Sequence, residues 1–192
     1  LALAARFPHA EIYGLDISEE ACARYREIVG RPVFQADLTQ RPELGERFDA
    51  AMVFGGLHHC VSDLNGALDA VADMLEPGGL LLMCEPNSHY FLEPVRRLWY
   101  RLDRYFDADT EAALSHAALA RLAGAAFRPE KVIHFGGPAS MLIYNSMVFR
   151  LPPRVKRGLT APLMAVERLY NRLPGRLLFS AFVARWRRLD KR

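Results

Sequence analysis

The sequence predicts an α/β protein built on a doubly wound, mainly parallel sheet, and three observations carry that prediction. Short apolar runs alternate with stretches of helical periodicity through the first 86 residues. Acidic residues (Asp16, Asp37, Asp49) open or close these runs, and glycine pairs (Gly55-Gly56, Gly78-Gly79) punctuate them. The run at 50–54 is short and glycine-bounded, which reads as a fully buried parallel strand rather than a helix.

In chain order, residues 1–8 read as the end of a helix, with Leu1, Leu3, Ala4 and Phe7 at helical spacing and Pro8 beyond. Residues 11–18 form a strand closing on Asp16. Ser18 is an N-cap, and Glu19 and Glu20 complement the helix dipole. That helix runs to about Val29 and is ended by Gly30. Residues 31–37 form a second strand, ending on Asp37, and the central strand follows at 49–54. Asp63 or Ser62 caps a helix whose apolar residues Leu64, Leu68, Val71, Ala72 and Leu75 share one face. Pro77-Gly78-Gly79 ends it and turns into a strand at 80–85, with right-handed crossovers expected between the parallel strands.

Regularity lapses after Pro86. Residues 90–106 mix aromatics with arginines and read as an amphipathic helix. Residues 111–126 form an alanine-rich helix, and a strand lies at about 130–135. Gly136-Gly137-Pro138 opens a second irregular region reaching about 176. The stretch 177–186 reads as a strand closing the sheet edge, with a helix as the alternative.

The chain of 192 residues is long enough for one sizeable core. With 51% apolar and 24% charged residues it has the balance of an ordinary soluble domain. Cys22, Cys60 and Cys84 are widely spaced, so neither a zinc site nor a disulfide framework is indicated; no metal is expected, and a reducing cytoplasm is the default location. No apolar run is long enough for a bilayer-spanning helix. Net charge is −8 over residues 1–90, +2 over 91–153 and +9 over 154–192. The basic tail is either a solvated helix face beside a basic edge strand, or a surface for weak contact with a membrane. No nucleic-acid partner is expected.

In an open α/β sheet, ligands bind beyond the carboxyl ends of the strands. That edge carries Gly55-Gly56-Leu57-His58-His59. The two histidines either move protons near neutral pH or merely shape the pocket and cap the next helix. Asp16 can accept hydrogen bonds from two adjacent ribose hydroxyls. Asp37, 21 residues on at the next strand tip, can accept one from an adenine amino group.

The order Leu15-Asp16-Ile17-Ser18, Ala36-Asp37-Leu38, Phe48-Asp49, Leu57-His58-His59, Leu75-Glu76-Pro77-Gly78-Gly79 and Glu85-Pro86 resembles the class I S-adenosylmethionine-dependent methyltransferases. Within them it looks most like the bacterial group acting on small molecules, glycans and lipids. The resemblance is specific over about residues 1–87. It implies a Rossmann-like sheet of seven strands with an antiparallel last strand. It also implies S-adenosylmethionine as cofactor, with Asp16 holding the ribose and Ile17 packing on adenine. Asp37 and Leu38 would flank the adenine, and Phe54, Gly55, Gly56 and Leu57 would pass the methionine end. His59 or His58 would be the base for a hydroxyl acceptor. The insertions at about 86–110 and 137–176 of this single domain would cap the acceptor, with Tyr90, Trp99 and Tyr144 among the contacts.

The family's glycine-rich loop and first strand would precede Leu1, so the chain reads as beginning partway through a domain. The expectation is an enzyme when complete and an inactive fragment as given. An acceptor that is lipid-linked, polyketide-like or glycan-derived fits walls mixing apolar side chains with arginine, and oxygen is the favoured atom. Two other readings stay open: a non-catalytic partner subunit with the same fold, and a nicotinamide-dependent dehydrogenase.

Overall fold

The structure is a computed structural model that describes residues 2–102, 111–144 and 150–190. Its elements are α1 (Ala2–Arg6), β1 (Gly14–Asp16), α2 (Glu19–Val29), β2 (Val33–Gln35), β3 (Phe48–Phe54), α3 (Leu64–Met74), β4 (Leu75–Pro86), α4 (Glu93–Leu102), α5 (His116–Leu122), β5 (Phe127–Phe135), α6 (Pro153–Tyr170) and β6 (Ala181–Arg188). Short 3-10 turns follow β2 and β3.

The local signals of the first half act where expected. The Ser18 hydroxyl accepts from Ala21 N, and Gly30 ends α2 in the left-handed region at φ 65°, which costs glycine nothing. Asp63 is the cap of α3, accepting from Gly66 N at 2.9 Å. α3 ends at Met74, earlier than expected, because Leu75 already pairs with Phe48. The Pro77-Gly78-Gly79 turn then falls inside β4, where the ladder with β3 shifts register.

Two sheets form among the described residues. β1 and β2 are parallel and stand apart from a four-stranded sheet of order β3-β4-β6-β5. β3 and β4 run parallel, while β6 is antiparallel to both neighbours, which matches the antiparallel last strand. Six strands are described where the resemblance implied seven. Tyr13, just ahead of β1, joins the sheets: its ring stacks on Phe34 at 5.9 Å and meets Phe48 edge-on at 5.3 Å.

Three expectations are corrected. β3 is not fully buried, since Met52 is 53% and Phe54 79% exposed. The cause is its position at the margin of the four-stranded sheet, with only β4 as a partner. β6 does not close the sheet edge but lies between β4 and β5, so β5 is the outer strand. Finally, the stretch expected to be irregular to about 176 holds the 18-residue helix α6. Pro153 sits in its first turn, where a missing N–H costs little, while the interior Pro162 removes one ladder donor and crowds the carbonyl one turn back, a cost that local sequence does not offset. Tertiary contacts hold α6 in place: the buried Glu167 carboxylate accepts from Gly137 N at 2.7 Å and Ala139 N at 2.9 Å.

The core lies between α3, α5 and the larger sheet, around Leu57, Leu68, Val71, Leu75, Leu81, Phe127, Phe182 and Trp186. The basic tail is partly neutralised, because Glu130 on β5 pairs with Arg185 and Arg187. Arg188 is buried and donates to the Leu75 carbonyl. No helix among the described residues is long and apolar enough to cross a membrane.

One consequence concerns pH. The Trp186 indole N–H donates to His116 Nε2 at 3.0 Å, so that nitrogen must stay unprotonated. Burial first, and then His134, lowers the His116 pKa. The unfolded chain therefore takes up this proton first as pH falls. Stability from this group is complete above the ordinary histidine value of about 6.5 and is lost as pH drops below it. His134, lowered mainly by burial, adds in the same direction. Melting temperature should be flat near pH 7.5 and fall toward pH 5.5. His116→Gln, which keeps an acceptor for the indole, should reduce that fall; equal slopes in the two proteins would refute the assignment.

Candidate active site

Beyond the carboxyl end of β3 the chain turns sharply. Gly55 has φ 63°, a conformation that a β-carbon would strain, and its N–H bonds the Cys84 carbonyl at 2.9 Å. This turn delivers Gly56, Leu57, His58 and His59 to the side chain of Glu85, near the end of β4. Glu85 is 1% exposed. Its Oε1 accepts from Gly56 N at 3.1 Å and Leu57 N at 2.9 Å. Its Oε2 accepts from His58 N at 3.3 Å and lies 2.8 Å from His58 Nδ1. One buried carboxylate thus gathers the whole turn, and a buried charge is tolerable only with such partners.

His58 and His59 have ring centres 4.0 Å apart. His59 is the more exposed and faces Glu111 Oε1 from Nδ1 at 3.3 Å. The segment carrying Glu111 is tied down where Ala112 N donates to the His58 carbonyl at 3.2 Å. Both histidines line a cavity of about 440 Å³ with Phe54, Arg96, Tyr100 and Glu111. Ser140 and Ser180 form its far side, with hydroxyls 3.4 Å apart. Another hollow, of about 450 Å³, lies by Arg47 at the amino end of β3 and holds no candidate residue. Burial pushes the Tyr100 phenol up and keeps it a donor, with Arg96 opposing and Glu111 and Glu93 adding to the rise.

The two predicted strand-end carboxylates occupy neighbouring positions. Asp16 ends β1 in register with Gln35, and its backbone carbonyl accepts from Ala36 N. Asp16 Oδ1 accepts from Ser18 N at 2.8 Å. Asp37 Oδ1 accepts from Thr39 N at 2.9 Å and the Thr39 hydroxyl at 2.7 Å. Each aspartate keeps a second oxygen with no partner among the described residues. Ile17 is 65% exposed beside Asp16, whereas Leu38 is half-buried against the core. Burial, then Asp37, then Glu85 raise the Cys60 thiol. Open carboxylate oxygens beside an exposed aliphatic side chain suit a ribose and an adenine ring. The donor set therefore fits S-adenosylmethionine, with Asp16, Ile17, Asp37 and the turn at 54–57 as the residues that would hold it. Leu57 is fully buried, so it offers the turn's backbone rather than its side chain.

The predicted acceptor contacts lie elsewhere. Tyr90 is 6% exposed, packs on Phe91 and points its hydroxyl at Met141 Sδ, 3.2 Å away. Trp99 and Tyr144 are exposed, and none of the three lines the cavity. Tyr105 and Phe106 fall outside the described residues. Arg96 and Arg97 both pair with Glu93, and Arg96 also donates to the Asn87 carbonyl, so the Arg96 fork is taken by the protein itself, whereas Arg97 is bonded through Nε and largely exposed. Glu111, Ser140 and Ser180 were not picked out from sequence. Tyr100 was read only as one of the aromatics of the helix at 90–106, and Glu85 only as part of the Glu85-Pro86 pair, an acid closing a buried apolar run.

Comparisons with known proteins bear on the family and the fold. Residues 1–81 match a family described as a methyltransferase domain. No curated protein sequence matches the chain. The solved N-methyltransferase NodS from Bradyrhizobium japonicum WM9, in complex with S-adenosyl-L-homocysteine, is 15% identical with TM-score 0.55, over 95% of this chain and 69% of its own. A candidate methyltransferase from Bacillus halodurans C-125 is 15% identical with TM-score 0.64, over 98% of this chain and 88% of its own. A SAM-dependent methyltransferase from Archaeoglobus fulgidus is 14% identical with TM-score 0.59, over 97% and 79%. The first 81 residues match a methyltransferase domain, and the chain as a whole has the Rossmann-like fold seen in S-adenosylmethionine-dependent methyltransferases.

Proposed function

We propose that this protein binds S-adenosylmethionine and transfers its methyl group to a small, partly apolar acceptor, on oxygen. The observation that carries the reading is the pair of half-open carboxylates, Asp16 and Asp37, at adjacent strand ends, together with a histidine turn after β3 that is clamped on a buried glutamate. S-adenosylmethionine, when bound, supplies an activated methyl group. The protein's part is to hold the cofactor, orient the acceptor and take up a proton. A hydroxyl acceptor must lose a proton, and a histidine nitrogen beside the cavity suits that task, which supports oxygen as the accepting atom. The Phe54 and Tyr100 rings favour an acceptor with an apolar body. The serine hydroxyls and Glu111 favour one with hydroxyl groups, such as a glycan-derived or polyketide-like molecule.

Calorimetry with S-adenosylhomocysteine and with NAD tests the cofactor. Binding of the first but not the second is expected, and the reverse would favour a dehydrogenase. Turnover separates an enzyme from a scaffold that has kept the fold. Because Tyr100 and not Trp99 lines the cavity, Tyr100→Ala should raise the acceptor KM by about tenfold, equivalent to about 1.4 kcal/mol of lost contact. Trp99→Ala should leave it nearly unchanged. The opposite ranking would move the acceptor to the outer face of α4.

A further inference from the structure

Resting on that methyl-transfer reading, we infer that Glu85 is a positioning residue that selects His58, rather than His59, as the base of the site. Three backbone N–H groups and the His58 ring converge on one buried carboxylate, two on each oxygen. Backbone N–H groups can only donate, and an ionised carboxylate can only accept. Facing Oε2 at 2.8 Å, His58 Nδ1 must therefore carry the ring proton. Nε2 is then the lone-pair nitrogen, and it has no hydrogen-bond partner among the described residues.

His59 has no comparable constraint. Its carboxylate neighbour is 3.3 Å away, is fixed by no backbone donor among the described residues, and leaves the ring half exposed. A solvated ring next to a looser carboxylate holds neither one tautomer nor one orientation. The His58 side chain is only 16% exposed, and its ring orientation is set by the same carboxylate that sets the backbone of its own turn. Base and turn are thus positioned together, and the turn also carries Gly56 and Leu57 from the cofactor side. In the transfer step the acceptor oxygen bonds the methyl carbon and the methyl–sulfur bond breaks with its electron pair left on sulfur. The hydroxyl proton passes to His58 Nε2, and the resulting imidazolium keeps its Nδ1–H on Glu85.

Glu85→Gln tests this directly. If the amide oxygen keeps the Gly56 and Leu57 N–H groups, the NH₂ faces Nδ1 and forces the proton onto Nε2. Nitrogen-15 NMR of the histidine rings should show His58 as the Nδ1–H tautomer in the wild type and as Nε2–H in Glu85→Gln, with His59 unchanged. Carbethoxylation of His58 by diethyl pyrocarbonate, read by mass spectrometry, should be at least fivefold slower in the variant, because the lone pair that the reagent needs is then on Nδ1, where it is held by the amide, and no longer on the open Nε2. An Nε2–H tautomer in the wild type would overturn the proposal whether or not the variant folds. Equal carbethoxylation rates in two folded proteins would do the same. Binding of S-adenosylhomocysteine, measured in parallel on the wild type, separates the two levels. Its absence alongside the Nδ1–H tautomer would overturn the methyl-transfer reading while leaving the Glu85 clamp in place.

Discussion

Trp186→Ala is expected to destabilise the protein by about 3–5 kcal/mol, the cost of removing a large buried aromatic. Trp186 is 0% exposed on β6, the strand held between β4 and β5. Its ring lies 6.0 Å from that of Phe127 and 5.6 Å from that of His116, and its indole N–H is bonded to His116. Truncation would open a cavity in the middle of the larger sheet and strand a half-buried acceptor on α5 at the same time. Chemical denaturation at pH 7.5 measures the loss. A change below about 1 kcal/mol would mean that α5 is not packed on the sheet through this side chain. Trp186→Phe should fall between, keeping most of the volume and losing the hydrogen bond.

The second large effect concerns ligand affinity. Asp16→Ala should weaken S-adenosylhomocysteine binding by about 1.5–3 kcal/mol, the range for hydrogen bonds to a charged group. In dissociation constant this is roughly ten- to 150-fold. The Asp16 side chain is exposed and, among the described residues, bonds only the nearby Ser18 N–H, while the Ser18 hydroxyl caps α2 independently. The fold should therefore survive the substitution, and the melting temperature without ligand serves as the control. An affinity within twofold of the wild type would remove Asp16 from the cofactor site. Because its backbone is fixed by pairing with β2, Asp16→Asn should keep part of the affinity through its remaining carbonyl oxygen.

What the sequence by itself determined was local. Ser18, Gly30 and Asp63 mark helix ends because a cap is satisfied within three or four residues of chain. The placement of Asp16 and Asp37 at adjacent strand ends was equally legible, since a parallel strand pair with a short crossover helix leaves few alternatives. The antiparallel last strand was implied by resemblance and is present. The tertiary structure alone decided where that strand goes. The register of Leu80 with Arg187 joins positions more than a hundred residues apart, and no periodicity in either segment encodes the partner. The same holds for α6, whose Pro162 argues locally against a helix, while Glu167 anchors it to the turn at 137–139. Tyr90 looked like a pocket residue by composition and became core because Met141 and Phe91 surround it. The two histidines are adjacent in sequence and equivalent there. They differ because the turn at Gly55 puts one ring against a buried carboxylate from β4, and the other beside Glu111 at the cavity margin.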